Sequence, residues 1–462
     1  MTNDRPLAHQ LAERVVAIRD GRVPREILER AHVLLADYLG VTLGGAPEAS
    51  STTLRRGLAA LGGRGDATVL GTRERLSAPH AALANGAAAH ALELDDTHQG
   101  GSIHLGASVF SAVLAAAERT GASGDRVLRA AVGGYEVAAR LAMALGPAAH
   151  YRRGFHPTGT CGAFGAAAAA GAVEGLDAAT IASALGIAGS QASGSMEFLA
   201  DGAWTKRLHP GWAATAGLHA AALAAAGFVA PTTIIEGRFG FLHAYSDDAD
   251  VAAAAATDGY ELARTSVKPH ACCRYMQGPI DAVLALRAAH RLTLQDVETV
   301  QVGMLAAGVP IVCDPAARKR RPTSVVDAQF SLPFGVATAL AHGAAGPEAF
   351  HTSRLDDAEL HRLMDRVAAV TDPELDAVYP RAWPAWVRIT LRDGRQLEAR
   401  VEHPRGDPEN FPSAADLEEK VRDLAARALS PAAVDRLLVA WRSLPAAPDV
   451  RVLLAETVPT VS

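Results

Sequence analysis

The sequence predicts a mainly α protein, with one large all-helical domain formed by both chain ends and a smaller α+β domain inserted between them. Three observations predict it. From residue 7 to about 245 the chain is a succession of helix-period segments whose packing positions are rich in alanine. Near Lys268 the style changes: Val297–Met304 reads as a strand, and segments 385–391 and 395–401 flank Asp393–Gly394, a strong hairpin signal. From Glu409 to Leu444 the pattern returns to helix. The boundaries follow as residues 1–267 and 403–462 for the helical domain and 268–402 for the insert.

In chain order, residues 7–20 and 24–39 read as amphipathic helices. The second has Pro24 in its first turn, Gly40 as its stop, and Gly44–Gly45 as a loop. Residues 46–75 carry short helix and strand signals that do not resolve. Helices are expected over 78–94, 107–119 and 124–145, the last entered through Ser123-Gly-Asp-Arg126. The stretch GFHPTGTCGAFGAAAAAGAVEGLD (154–177) is a loop bearing His156 that runs into a long small-residue helix. Segments 178–190 and 212–227 continue in that style. Inside the α+β piece two helices are expected, over 328–341 and 356–370, and Asn410-Phe-Pro-Ser413 leads into the final helices.

Composition removes several classes of function. A net charge of −6 with no basic block argues against a nucleic-acid partner. The apolar runs at 162–173 and 212–230 are too short or too weakly apolar to be membrane spans, so no membrane partner is expected. The N-terminus lacks the apolar segment of a signal peptide. Four cysteines, two of them adjacent, make no disulfide framework in 462 residues, which points to a reducing, cytoplasmic setting. No phosphate loop, dinucleotide fingerprint, HExxH, CxxC pair or nucleophile elbow is present.

What interrupts the small-residue helices is four polar islands. Asn85–His104, NGAAAHALELDDTHQGGSIH, delivers Glu93, Asp95, Asp96, Thr97 and His98 at a helix end, then His104 across two glycines. His156 stands in FHPTGT, Lys206, Arg207 and His209 in WTKRLHPG, and Lys268, Cys273 and Arg274 in KPHACCRY. Singly, each is an ordinary cap, solvated cation or small buried residue. Together they supply acids, imidazoles and fixed cations. Lysine and arginine suit the binding of carboxylates, and histidine and aspartate suit proton transfer at a carbon beside one. Asp95, His98 and His104 are the one set that could hold a metal, but their spacing does not recur and the site is read as metal-free.

These residues, with EGRFGF after the third island and DAQFSLPFGVATAL at 327–340, resemble the MmgE/PrpD family, which includes 2-methylcitrate dehydratase, cis-aconitate decarboxylase and iminodisuccinate epimerase. The resemblance runs in order from about residue 7 to 445. It implies a helical domain with an α+β lid domain, a homodimer, no cofactor, and a site lined by Glu93, Thr97, His104, His156, Lys206 and Lys268. Glu93 stands where the decarboxylase pattern has aspartate. Cys273, followed by Arg274, stands where that pattern has histidine. The loop after Thr97 is shorter than in the dehydratase pattern.

The expected function is removal of a proton alpha to a carboxylate of a small di- or tricarboxylic acid. The reaction is read as a lyase of the dehydratase or decarboxylase kind. The alternatives are an epimerase of an iminodisuccinate-like dicarboxylate and a non-catalytic ligand-binding relative. His104, His156, Lys206 and Asp95 are the expected catalytic set. Glu93, Asp96, Thr97, Lys268, Cys273 and Arg274 are expected to bind substrate. The pKa of His104 is pulled up by the acids and down by the lysines, so its direction is left open.

Overall fold

The computed structural model describes residues 5–460. Its centre is a stack of nearly featureless helices. Pro157–Glu174 is buried from Pro157 through Val173, and Ala78–Ala89, Gly106–Thr120, Gly124–Leu145 and Thr205–Ala225 pack around it. Alanine at the contacts lets the helix axes come close without emptying the core. One close approach has no side chain on either helix: a Cβ on Gly86 would lie 2.6 Å from the Cα of Gly211. The chain entry at Ser123 holds, with its side chain accepting from the Arg126 N–H.

The second helix runs on past its expected stop, over Arg25–Gly45. Gly40 breaks nothing. It faces Val421, whose Cα would be 3.2 Å from an added Cβ, so it serves the crossing with the C-terminal helix Ala414–Ala425. The chain end thus returns to pack on the beginning. Ser413 opens that helix with a capping box to Asp416. Residues 46–75 resolve into helix Ala49–Ala60 and a small hairpin, Arg64–Thr68 with Arg75–Leu76.

A four-stranded sheet occupies the middle of the later chain. Val297–Met304 pairs with Ala385–Leu391 antiparallel, and Ala385–Leu391 with Gln396–Val401 through the expected Asp393–Gly394 turn, where Gly394 has φ +87°. The fourth strand, Val367–Thr371, lies parallel to Val297–Met304 at the edge. Helix was expected there. Only Ala358–Met364 is helical. The strand buries Val367 alone, so it shows no alternation for a sequence reading to find. Helices Gln277–His290 and Leu332–His342 cover the sheet. One apolar core is continuous from Leu7 through the strands to Leu454.

Candidate active site

The site is assembled by three local events. Helix Ala78–Ala89 stops earlier than its periodicity suggests, and the chain turns through Glu93 at φ +55°, a left-handed conformation that costs a non-glycine residue roughly 1–3 kcal/mol. Thr97–His98 then pairs antiparallel with Thr265–Ser266, which lays the Lys268 segment beside Glu93 and Asp95. Finally the loop over Gly100–Gly101 closes with the His98 N–H on the Ile103 carbonyl, 2.8 Å, and His104 comes back to its own strand. Helix Thr205–Ala225 begins seven residues earlier than expected and carries Pro210 inside it. Lys206 therefore sits in a first turn that faces the same cavity, not in a loop.

Glu93, Thr97, His104, His156, Lys206, Cys273 and Arg274 line that cavity, with Tyr151, Phe198, Tyr275, Phe330 and Trp383 as its apolar and phenolic walls. Its free volume is about 40 Å³. The lining side chains leave little free space within it. A larger groove of about 690 Å³ includes Lys268, Arg405 and Lys420 in its wall, with the carboxylates Asp416, Glu419 and Asp423, but no histidine.

The charges are tightly paired. Lys206 bonds Glu93 Oε1, and Lys268 lies 3.5 Å from Glu93 Oε2 and 3.6 Å from Asp95 Oδ1. Burial pushes the Glu93 carboxyl up, but Lys206 and Lys268 outweigh it and hold it below its ordinary range. Burial likewise raises Asp95, and His90, His104 and Lys268 bring it well below. The lysines diverge. Burial lowers Lys206 more than Glu93 lifts it, whereas Lys268 sits between two carboxylates that overcome its burial and raise it. Arg274 is bound by Asp407 and lies over the Trp383 ring at 5.5 Å.

His104 Nδ1 lies 2.8 Å from the Asp96 carbonyl, 3.2 Å from Thr97 Oγ1 and 3.4 Å from Asp95 Oδ2. A carbonyl only accepts, so Nδ1 carries the hydrogen and Nε2 is the bare nitrogen. Burial holds the imidazole well below its ordinary pKa despite Asp95, which settles the direction left open by the sequence. His156 Nδ1 meets His209 Nδ1 at 3.0 Å, and burial with His209 and Lys206 keeps it neutral as well.

Three residues of the expected set do not reach the cavity wall. Asp95 and Lys268 stand behind it as the buried counter-ions of the lining residues. Asp96 is turned away: its carboxyl accepts from the Leu105 and Gly106 N–H groups and from the Tyr135 hydroxyl, so it caps helix Gly106–Thr120 instead of meeting a ligand. His98 bonds Glu261 Oε2 at 3.0 Å, which breaks up the Asp95, His98, His104 metal set. His90, His104 and His156 each offer a nitrogen within 4.8 Å of the others. His90, however, has both nitrogens engaged, one by the Lys206 ammonium at 2.9 Å, and a cation there would face that charge.

Asp96 yields a stability prediction. Burial pushes its carboxyl up to about 7, against the pull of Tyr135 and the Gly106 N–H. A group whose folded pKa exceeds its unfolded value stabilises fully below the unfolded pKa, and that stability is lost as pH rises through the folded one. Thermal unfolding of the wild type should lose stability between about pH 4 and 7 from this group, and Asp96→Asn should flatten that slope. An unchanged slope would mean that Asp96 is ionised throughout as the cap.

The sequence reading missed His90 and Tyr151, and it placed His209 in the third island without giving it a role. His90 lies inside the first island but looks like a lone imidazole among alanines, because its partner Lys206 is 116 residues away.

Comparison with known proteins agrees over nearly the whole chain. The MmgE/PrpD N-terminal domain model matches residues 9–254 and the MmgE/PrpD C-terminal domain model residues 270–444. A cis-aconitate decarboxylase-like protein, oryM, of Aspergillus oryzae is 27% identical, with 96% of each chain covered. The cis-aconitate decarboxylase of Aspergillus terreus is 28% identical over 87% of this chain and 86% of its own. The Homo sapiens cis-aconitate decarboxylase is 26% identical over 97% and 93%.

Proposed function

Because this chain belongs to the MmgE/PrpD family, we propose that it is a lyase that moves a proton alpha to a carboxylate of a small di- or tricarboxylic acid. The observation that carries the reading is the His104 tautomer. With Nδ1 tied to the Asp96 carbonyl, Nε2 is an unprotonated base on the cavity wall. Lys206 and Arg274, on the same wall, would hold substrate carboxylate and stabilise the enediolate-like charge that grows as the proton leaves. The resemblance to decarboxylases supports a lyase outcome. Epimerisation is the second reading. His156 provides a second imidazole, its ring centre 6.2 Å from that of His104; with one ring neutral and the other protonated from solvent, one would remove a proton and the other deliver one on the opposite face.

Incubation in deuterated water with a panel of di- and tricarboxylates, followed by proton NMR, tests this. Loss of the alpha-proton signal is expected for at least one acid, with new product signals for a lyase and none beyond the stereoisomer for an epimerase. No exchange with any acid would leave the non-catalytic relative as the answer.

A homodimer belongs to the same proposal. It is supported by the outward face of helix Thr205–Ala225, where Trp212 and Leu223 are exposed, followed by exposed Phe228 and Val229. A monomer by light scattering would remove it. Among the described residues no helix is long and apolar enough to cross a membrane. A cytoplasmic setting is supported by the four free cysteines.

A further inference from the structure

His90 joins the groups around the cavity without lining it. It ends helix Ala78–Ala89 and is fully buried. Its Nδ1 lies 2.7 Å from Asp95 Oδ2 and its Nε2 lies 2.9 Å from Lys206 Nζ. A carboxylate can only accept and an ammonium can only donate. The two contacts therefore fix one tautomer, with the hydrogen on Nδ1 and a lone pair on Nε2 aimed at the lysine.

We propose that His90 is a positioning residue, which Asp95 locks in this tautomer so that it holds the Lys206 ammonium against Glu93 with one N–H left for the substrate. An ammonium has three N–H donors. One goes to His90 and one to Glu93, and the third is the one available to the cavity that Lys206 lines. The same Asp95 oxygen that holds His90 lies 3.4 Å from His104 Nδ1. One carboxylate oxygen thus sets the orientation of both the base and the cation's holder. A histidine that merely filled space would need neither contact.

The charged and titratable groups facing Lys206 come from every neighbouring segment. Glu93, Asp95 and His104 come from the first island and His156 from the second, with His209 on its own helix. Lys268 and Cys273 face it from the fourth. Among the described residues only Glu93 and His90 accept a hydrogen bond from its ammonium. Loss of the His90 acceptor should therefore let Lys206 lose its proton at lower pH.

Two variants separate the two contacts. His90→Asn keeps a donor where Nδ1 meets Asp95 but is too short to reach Lys206. His90→Gln offers an amide oxygen near the Nε2 position and gives up the Asp95 contact. The chain has only four lysines, so protein labelled with ¹³C-lysine gives four ε-carbon signals, and Lys206→Arg identifies the one from Lys206. The Lys206 titration midpoint should fall by about one pH unit in His90→Asn, the scale of one charge-assisted hydrogen bond, and stay near wild type in His90→Gln. An unmoved midpoint in His90→Asn, or equal shifts in both variants, would overturn the assignment. The inference rests on the catalytic reading for its purpose but not for its readout. If wild-type protein exchanges no substrate proton, that reading fails, while the titration still decides whether His90 holds Lys206.

Discussion

His104→Asn should lower turnover by roughly a hundredfold or more, the usual scale for a positioned acid/base, while leaving the fold and substrate affinity close to wild type. The substitution is chosen for its geometry. The asparagine amide can still donate toward the Asp96 carbonyl that now receives Nδ1, so the local frame survives, but nothing replaces Nε2. The depressed pKa of His104 adds to the argument: a neutral imidazole is ready to accept a proton over the whole physiological range, at the cost of being a weaker base. The measurement is single-turnover exchange in deuterated water beside a direct binding assay. Wild-type turnover in the variant would move the base to His156, the other neutral imidazole on the wall.

The largest stability effect is expected at Glu93. Its two oxygens serve two buried lysines, and removal of one partner from a buried ion pair costs roughly 3–5 kcal/mol because the other charge is left uncompensated. Glu93→Gln should lose stability on that scale in urea unfolding at pH 7. The sign with pH follows from the depressed carboxyl. Its stabilisation is fully present above the unfolded pKa, near 4.3, and is lost as pH falls toward the lower folded value. The gap between wild type and variant should therefore narrow below about pH 4. A loss under about 1 kcal/mol at pH 7 would mean that Lys206 sheds its proton when Glu93 is gone, as its lowered pKa permits.

The parts of the fold legible in the sequence were those with a strong local signal. The Asp393–Gly394 hairpin, the Ser123 cap and the Ser413 lead-in announce themselves within a few residues. The edge strand Val367–Thr371 did not, because its existence depends on backbone pairing with a neighbour more than 60 residues earlier. Gly40 misled for a related reason: a glycine that ends a helix and one that lets another helix approach look alike until the partner is known.

In the site, the polar islands stood out against alanine. The difference between lining the cavity and supporting its lining did not, so Asp96 could not be told from Glu93. One signal was available and unused. The chain carries four lysines against forty arginines, and two of the four meet at Glu93. Where arginine is the default cation, a lysine marks a place for a compact charge, and at Lys206 burial makes it one that can give up its proton, which a guanidinium does not.

The contact between Gly86 and Gly211 acquires a meaning beyond packing when it is placed on the two helices it joins. Gly86 is one turn before His90, and Gly211 is five residues after Lys206. The 2.9 Å reach from imidazole to ammonium is thus gauged by a nearby crossing where neither helix has a side chain to spare. A single methyl group at either glycine would act as a shim between the helices. It would widen the gap between His90 and Lys206 that the proposed role of His90 needs closed, without altering any residue that lines the cavity.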